Sequence, residues 1–160
     1  MGRILIAGMI VLLSGCATQN YSYVAQSNAD PEIVFGSPTK FVESRQFLVN
    51  IKGATSNKCE DFTMAGDVGK NGFGGGDETA VIRTPAGQAI AISSGYSNST
   101  VSCHPPVFMF LPQNGKRYSV DILYDSLHGS SNCFLSIIEV GDNGNQKKIT
   151  NLTKLPECVK

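Results

Sequence analysis

The sequence predicts an all-β domain, and three observations carry that expectation. Short runs rich in β-branched and aromatic residues recur along the chain. Clusters of Gly, Pro, Asn and Asp divide them. Between them no segment keeps a helical period for a useful length. The spacing of the runs indicates a sandwich or a barrel.

The expected strands are FLVNI (47–51), DFTMA (61–65), TAVIRT (79–84), QAIAIS (88–93), VFMFL (107–111), RYSVDILY (117–124) and CFLSIIEV (133–140). Thr84-Pro85-Ala86-Gly87 joins the third to the fourth as a hairpin: proline presets φ and glycine accepts a positive φ. Gln113-Asn114-Gly115-Lys116 and Gly141-Asp142-Asn143-Gly144 are further turn signals. The run from Arg117 sets Tyr118, Val120, Ile122 and Tyr124 on one face against Arg117, Ser119 and Asp121 on the other. A tyrosine opening a strand just after a turn resembles the tyrosine corner of immunoglobulin-like sandwiches. That resemblance implies an immunoglobulin-like, Greek-key β-sandwich. Val120 stands where true immunoglobulin domains carry a cysteine, so the resemblance extends to architecture and not to the family.

The N-terminus has a different logic. Met1-Gly2-Arg3 brings one positive charge, and Ile4 to Leu13 is almost wholly apolar. Ten residues fall short of the ~20 that cross a bilayer as a helix, and the layout is that of a secretory signal peptide. Leu13-Ser14-Gly15-Cys16 resembles the lipobox of bacterial lipoproteins. The resemblance implies cleavage before Cys16 and diacylglyceryl modification of its thiol, with further acylation such as palmitate at the new terminus. Ala17, in place of Asp, implies sorting to the outer membrane. A single acyl chain holds a protein only marginally and two or more hold it stably, each buried methylene adding ~0.8 kcal/mol. The expected organisation is a signal peptide over 1–15, a lipidated cysteine with a flexible tether over 16–31, and a β-sandwich domain over 32–160. The polar, aperiodic ATQNYSYVAQSNADP (17–31) supplies the tether.

The mature chain of about 145 residues is the size of one domain. Thirteen Lys and Arg balance thirteen Asp and Glu, and no basic stripe suits nucleic acid. Four cysteines remain: Cys59, Cys103, Cys133 and Cys158. An even number in an exported chain implies two disulfides. Three connectivities exist, and Cys103–Cys133 with Cys59–Cys158 is preferred because the second would staple the tail to the domain.

Several stretches approach chemical motifs and stop short. Gly69-Lys70-Asn71-Gly72-Phe73-Gly74-Gly75-Gly76-Asp77 lacks the spacing and the hydroxyl of a phosphate loop, and it occurs once where calcium-binding nonapeptides repeat. It reads as a loop between strands, with Lys70, Phe73 and Asp77, joined by Tyr96, as candidate contact residues. Gly95-Tyr96-Ser97-Asn98-Ser99 ends in Ser where a nucleophile elbow needs Gly. His104 and His128, oriented by Asp121 or Asp125, form no defensible triad. His128-Gly129-Ser130-Ser131-Asn132-Cys133 loosely resembles the cysteine region of L,D-transpeptidases, but its histidine and cysteine stand five residues apart. A nucleophilic Cys133 would have to remain a free thiolate. Cys103, His104, Cys133 and His128 carry zinc-ligand chemistry without close ligand pairs.

The expectation is therefore a lipoprotein on the periplasmic side of the outer membrane, acting as a non-catalytic binding or assembly module with an envelope protein as partner. It carries no catalytic or metal-ligating residue, needs no cofactor and meets the membrane through Cys16. In size and plan it is similar to the outer-membrane lipoprotein of type VI secretion systems, an analogy without a shared motif. The alternative is a lipoprotein that binds glycan or inhibits a hydrolase through a rigid loop, Gly69 to Asp77 or Gly95 to Cys103. A cysteine-dependent envelope enzyme is the third reading.

Overall fold

The computed structural model describes residues 20–36, 44–51, 61–68, 70–71, 74–75, 79–97, 101–125 and 132–155. The leader with Cys16, and also Cys59, Phe73, Asp77, His128 and Cys158, lie outside them. Among the described residues the regular structure is nearly all β. The strands are β1 (Glu32–Phe35), β2 (Ser44–Asn50), β3 (Thr63–Val68), β4 (Lys70–Asn71), β5 (Gly74–Gly75), β6 (Ala80–Arg83), β7 (Ile90–Ser97), β8 (Ser102–Cys103), β9 (Phe108–Phe110), β10 (Arg117–Asp125), β11 (Asn132–Val140), β12 (Gln146–Lys148) and β13 (Thr153–Lys154).

Two sheets hold most of them. One runs β12-β11-β10-β1-β6, the other β13-β9-β7-β2-β3 with β8 hydrogen-bonded to β7, and β4 and β5 pair apart as a short ribbon. All seven expected strands are present, most with shifted ends. The seventh is joined to β12 by a turn in which Gly144 takes φ +74° and its amide bonds to the Gly141 carbonyl at 2.9 Å.

Period-2 patterning explains the core. Tyr118, Val120 and Ile122 of β10 face inward opposite Ile137 and Leu135 of β11, while Leu123 and Phe134 face out. Phe47 and Val49 of β2 and Ile90 and Ile92 of β7 supply the facing layer, and all of these join one apolar cluster. Among the described residues three aromatic pairs cross between the sheets. Phe110 meets Tyr118 edge-on at 5.4 Å, Phe35 meets Phe47 at 4.8 Å, and Tyr96 stacks on Tyr124 at 5.4 Å. Such pairs contribute about 0.5–1.5 kcal/mol each beyond the area they bury. The result is sandwich-like, with two ends.

At the base lie the β6–β7 turn with Gly87 at φ +70°, the β9–β10 turn with Gly115 at φ +69°, and the start of β10. At the top lie the ends of β3 and β7, β8, and the far part of the β10–β11 ribbon. The flank is closed where β3 meets β6: a Cβ on Gly66 would stand 2.3 Å from the Ala80 Cβ, so only glycine permits that approach.

The short strands β4, β5, β8, β12 and β13 were not expected, the first two lying in the stretch read as a loop, and two larger features also depart from the expectations. β1 was not among the expected strands, yet it is central to its sheet, parallel to β10 and antiparallel to β6. The tether was expected to be flexible through residue 31, whereas residues 20–31 are hydrogen-bonded to the domain. Asn20 bridges to Met64, the Tyr21 amide donates to the Met64 carbonyl at 2.8 Å, and the Gly115 amide donates to the Ala29 carbonyl at 2.7 Å. The physical reason is that Tyr21 packs against the core and Asp30, 4 % exposed, ties the loop together from inside.

Candidate functional site

Among the described residues, the top of the sandwich carries Cys103, Cys133, Tyr96, His104 and Lys70, all singled out from the sequence. β10 and β11 pair over nine positions, but β1 accompanies β10 only from Arg117 to Val120 and β12 accompanies β11 only from Ile138 to Val140. Their far half therefore runs on as a ribbon. Cys133 stands opposite Tyr124 on its inner face, and Cys103 stands on β8 opposite Tyr96 of β7. The two thiols are joined as a disulfide, with Cα atoms 6.3 Å apart. The bond links the two sheets beside the Tyr96–Tyr124 stack.

This pairing is the preferred one for these two cysteines, and it decides two chemical questions. Cys133 has no free thiol, so it cannot act as a nucleophile in this state. Cys103 and Cys133 are likewise withdrawn from the four-residue zinc set. Among the described residues no three His, Cys, Asp or Glu side chains gather in a way that would hold a metal ion.

Beside the disulfide, on the far side of β7, Gln46, Gly95, Tyr96, Ser97, Ser102 and His104 line an open cleft of about 210 Å³. Gln46 and Gly95 are register partners, and the His104 ring lies over Gly95. A Cβ there would come within 2.9 Å of Nδ1. The missing side chain is thus what seats the imidazole. Gly95, Tyr96 and Ser97 belong to β7 and form no elbow; the loop expected from Gly95 to Cys103 is a hairpin between β7 and β8, shorter at both ends.

The cleft offers hydrogen-bonding groups from Gln46, Ser97, Ser102 and His104, and among the described residues that line it there is no carboxylate. A histidine base needs an acceptor to fix its tautomer and orientation. Asp121 is engaged elsewhere, 3.5 Å from the Arg45 guanidinium and accepting the Ile122 amide at 2.8 Å. Arg45 is 6 % exposed, which makes this a largely buried ion pair between β2 and β10.

The candidate contact residues separate. Tyr96 is 3 % exposed and belongs to the core, reaching the cleft only from below. Lys70 sits on β4, in the ribbon that follows β3 at the same end; Phe73 and Asp77 lie outside the described residues. A feature missed from the sequence is the pair Leu123 and Phe134. They are register partners on the outward face of the ribbon, 52 % and 54 % exposed. Their alternation with Ile122 and Leu135 was the available signal, since an apolar residue on the outer face of a two-layer domain has no core to enter.

The base carries a second cleft, of about 250 Å³, with Tyr118, Glu139, Lys147, Lys148 and Asn151 among its walls. The Tyr118 hydroxyl accepts the Gln113 amide at 2.9 Å, while Lys116 pairs with Glu139 at 3.2 Å. Burial raises the Tyr118 phenol pKa above its ordinary value, against the lowering effect of that amide.

No protein-family model matches this chain, and comparison with curated proteins finds no similar sequence.

Proposed function

We propose that this chain is a lipoprotein of the outer membrane, anchored through Cys16 on the periplasmic side, and that it works as a non-catalytic binding or assembly module for an envelope protein. The carrying observation is the Cys103–Cys133 disulfide between the two sheets. Structural disulfides persist in oxidising compartments, which agrees with the export implied by Leu13-Ser14-Gly15-Cys16. The exposed Leu123–Phe134 pair supports a protein partner, since apolar side chains paired on a strand surface suit contact with another chain. The immunoglobulin-like reading is supported by the Tyr118–Gln113 bond across the turn before β10.

The His104 cleft favours the second reading, a small ligand or a loop of a hydrolase held at the top. The test is crosslinking in intact cells through a photoreactive residue placed at Leu123, set against the same residue at His104. An envelope protein captured from position 123 supports assembly. Capture of a cell-wall hydrolase or glycan from position 104 alone would replace it with the second reading.

A further inference from the structure

We infer that the cleft at the base is a binding site for a carboxylate, and that its occupant is the C-terminal end of a short peptide. The inference is independent of the anchor at Cys16 and of the outward Leu123–Phe134 pair.

The site begins as one row across three strands. Tyr118 of β10 is the register partner of Glu139 of β11, and Glu139 is the register partner of Lys147 of β12. Register partners present their side chains on one face, so a phenol, a carboxylate and an ammonium follow one another there. All three are walls of the cleft of about 250 Å³. Phe110 and Leu111 at the end of β9, with Asn151 just before β13, bring the other sheet to it.

Tyr118 is 1 % exposed, and its hydroxyl oxygen accepts the Gln113 amide at 2.9 Å. Gln113 is itself a wall, which sets that oxygen at the cleft. The hydroxyl proton has no acceptor among the described residues. Burial raises the phenol pKa above its ordinary value, so the proton stays in place at physiological pH. A buried donor without an acceptor is destabilising, and a ligand oxygen at this point removes the penalty. Glu139 is engaged by Lys116 at 3.2 Å. Arg83 and Arg117 are both held by Glu32. Lys147 and Lys148 differ from these: both are exposed, and among the described residues no carboxylate pairs with either.

A buried O–H donor beside two ammonium groups calls for a charged oxygen acceptor. Glu139 limits the charge, because a carboxylate fixed in the same row repels a dianionic phosphate more than a monoanionic carboxylate. Phe110, Leu111 and Ile149 add an apolar wall suited to a small aliphatic group beside that carboxylate. The cleft is smaller than the ~300–1,000 Å³ of drug-sized sites, which limits the occupant to one or two small residues. β12 ends its sheet, so the backbone of Gln146–Lys148 offers an edge to an extended chain. Pairing along such an edge and capture of a terminal carboxylate are both recurrent ways of holding a peptide.

The test is an NMR titration of the full chain in detergent micelles, read at the amides of Gln113, Tyr118, Lys147 and Asn151. The probes are N-acetyl-Ala-Ala, its C-terminal carboxamide, acetate and inorganic phosphate. N-acetyl-Ala-Ala should saturate with Kd of about 1 mM, the affinity a ligand of that size reaches. The carboxamide, acetate and phosphate should each bind about tenfold more weakly or worse. Lys147→Gln combined with Lys148→Gln should weaken the acid about tenfold. Glu139→Gln should tighten it severalfold, by removing the like charge and releasing Lys116. Tyr118→Phe, measured where the variant is still folded, should weaken it about fivefold, and the two exposed lysines test the site without that risk to the fold. Equal binding of acid and carboxamide, or cleft amides that stay unshifted at millimolar acid, overturns the carboxylate site. Phosphate binding more tightly than the acid overturns the choice of carboxylate, and acetate matching the acid overturns the peptide.

Discussion

The Tyr21 hydroxyl donates to the Arg83 carbonyl oxygen at 2.6 Å, joining residues 62 apart in sequence. The bond closes the base: it ties the stretch before the first strand to the end of β6, next to the Arg83–Glu32 ion pair. Burial holds the Tyr21 phenol pKa well above its ordinary value, so the neutral donor persists at any physiological pH. Tyr21→Phe removes one hydrogen bond worth about 1 kcal/mol. Hydrogen exchange should accelerate at the Tyr21 amide while the central amides of β7 change little; a uniform change would show that the segment opens only with the whole domain.

Asp30 governs the other half of that segment. Its carboxylate accepts the Gln26 amide at 2.6 Å, the Tyr23 hydroxyl at 2.9 Å and the Ser27 amide at 3.2 Å. Burial alone would raise the carboxyl, but these bonds outweigh it and hold its pKa below the ordinary value of 3.8. A depressed carboxylate stabilises the fold fully above its unfolded pKa and loses that contribution as pH falls through the folded value. Asp30→Asn should therefore lower Tm at pH 7, and the gap to the parent should close as pH is taken from 4 towards 2. A gap independent of pH would assign the effect to packing.

Gly66 and Ala80 hold the two sheets together at the flank. Gly66→Ala forces a contact of 2.3 Å between two Cβ atoms and should destabilise the domain by about 1–3 kcal/mol, the range for overpacking. Adding Ala80→Gly removes the opposing atom. The double variant should recover part of the loss in urea unfolding, and a strictly additive pair would mean that the flank relaxes by another route.

The Tyr118–Gln113 bond has a simpler consequence. Tyr118 is 1 % exposed, and Tyr118→Phe keeps its ring contact with Phe110 while leaving the Gln113 amide without this acceptor. The expected cost is about 1–2 kcal/mol, roughly 3–5 °C in Tm. Crosslinking from Leu123 should be unchanged, because that side chain faces outward at the top. Equal melting of mutant and parent would remove the corner from the account of stability.

Replacing both Cys103 and Cys133 by Ser opens a loop that spans 30 residues. The chain-entropy relation puts the loss at about 3.5 kcal/mol. Gentle reduction of the parent should give the same destabilisation in urea. A much smaller effect would mean that the Tyr96–Tyr124 stack and the ribbon already fix the two sheets.

The sequence by itself determined the alternation and the punctuation. Tyr118, Val120 and Ile122 on one face of a strand can mean only a half-buried β-strand, and Pro85-Ala86-Gly87 can hardly continue one, so the principal strands and their turns were legible locally. What only the tertiary structure decided were relations between distant positions. Four residues such as Glu32–Phe35 carry too little pattern to announce a central strand; their place depends on the gap that β6 and β10 leave between them. Tyr21 to Asp30 looks like a polar tether because its hydrogen-bond partners, at Met64, Arg83 and Gly115, lie elsewhere in the chain. Gly95 and Tyr96 look like a loop until β2 and β8 pair with them, and then one seats His104 while the other enters the core. Local sequence specifies which face of a strand is apolar. Which sheet covers that face, and which end of the domain gathers the disulfide, the cleft and the exposed Leu123–Phe134 pair, follows from long-range pairing that no short stretch encodes.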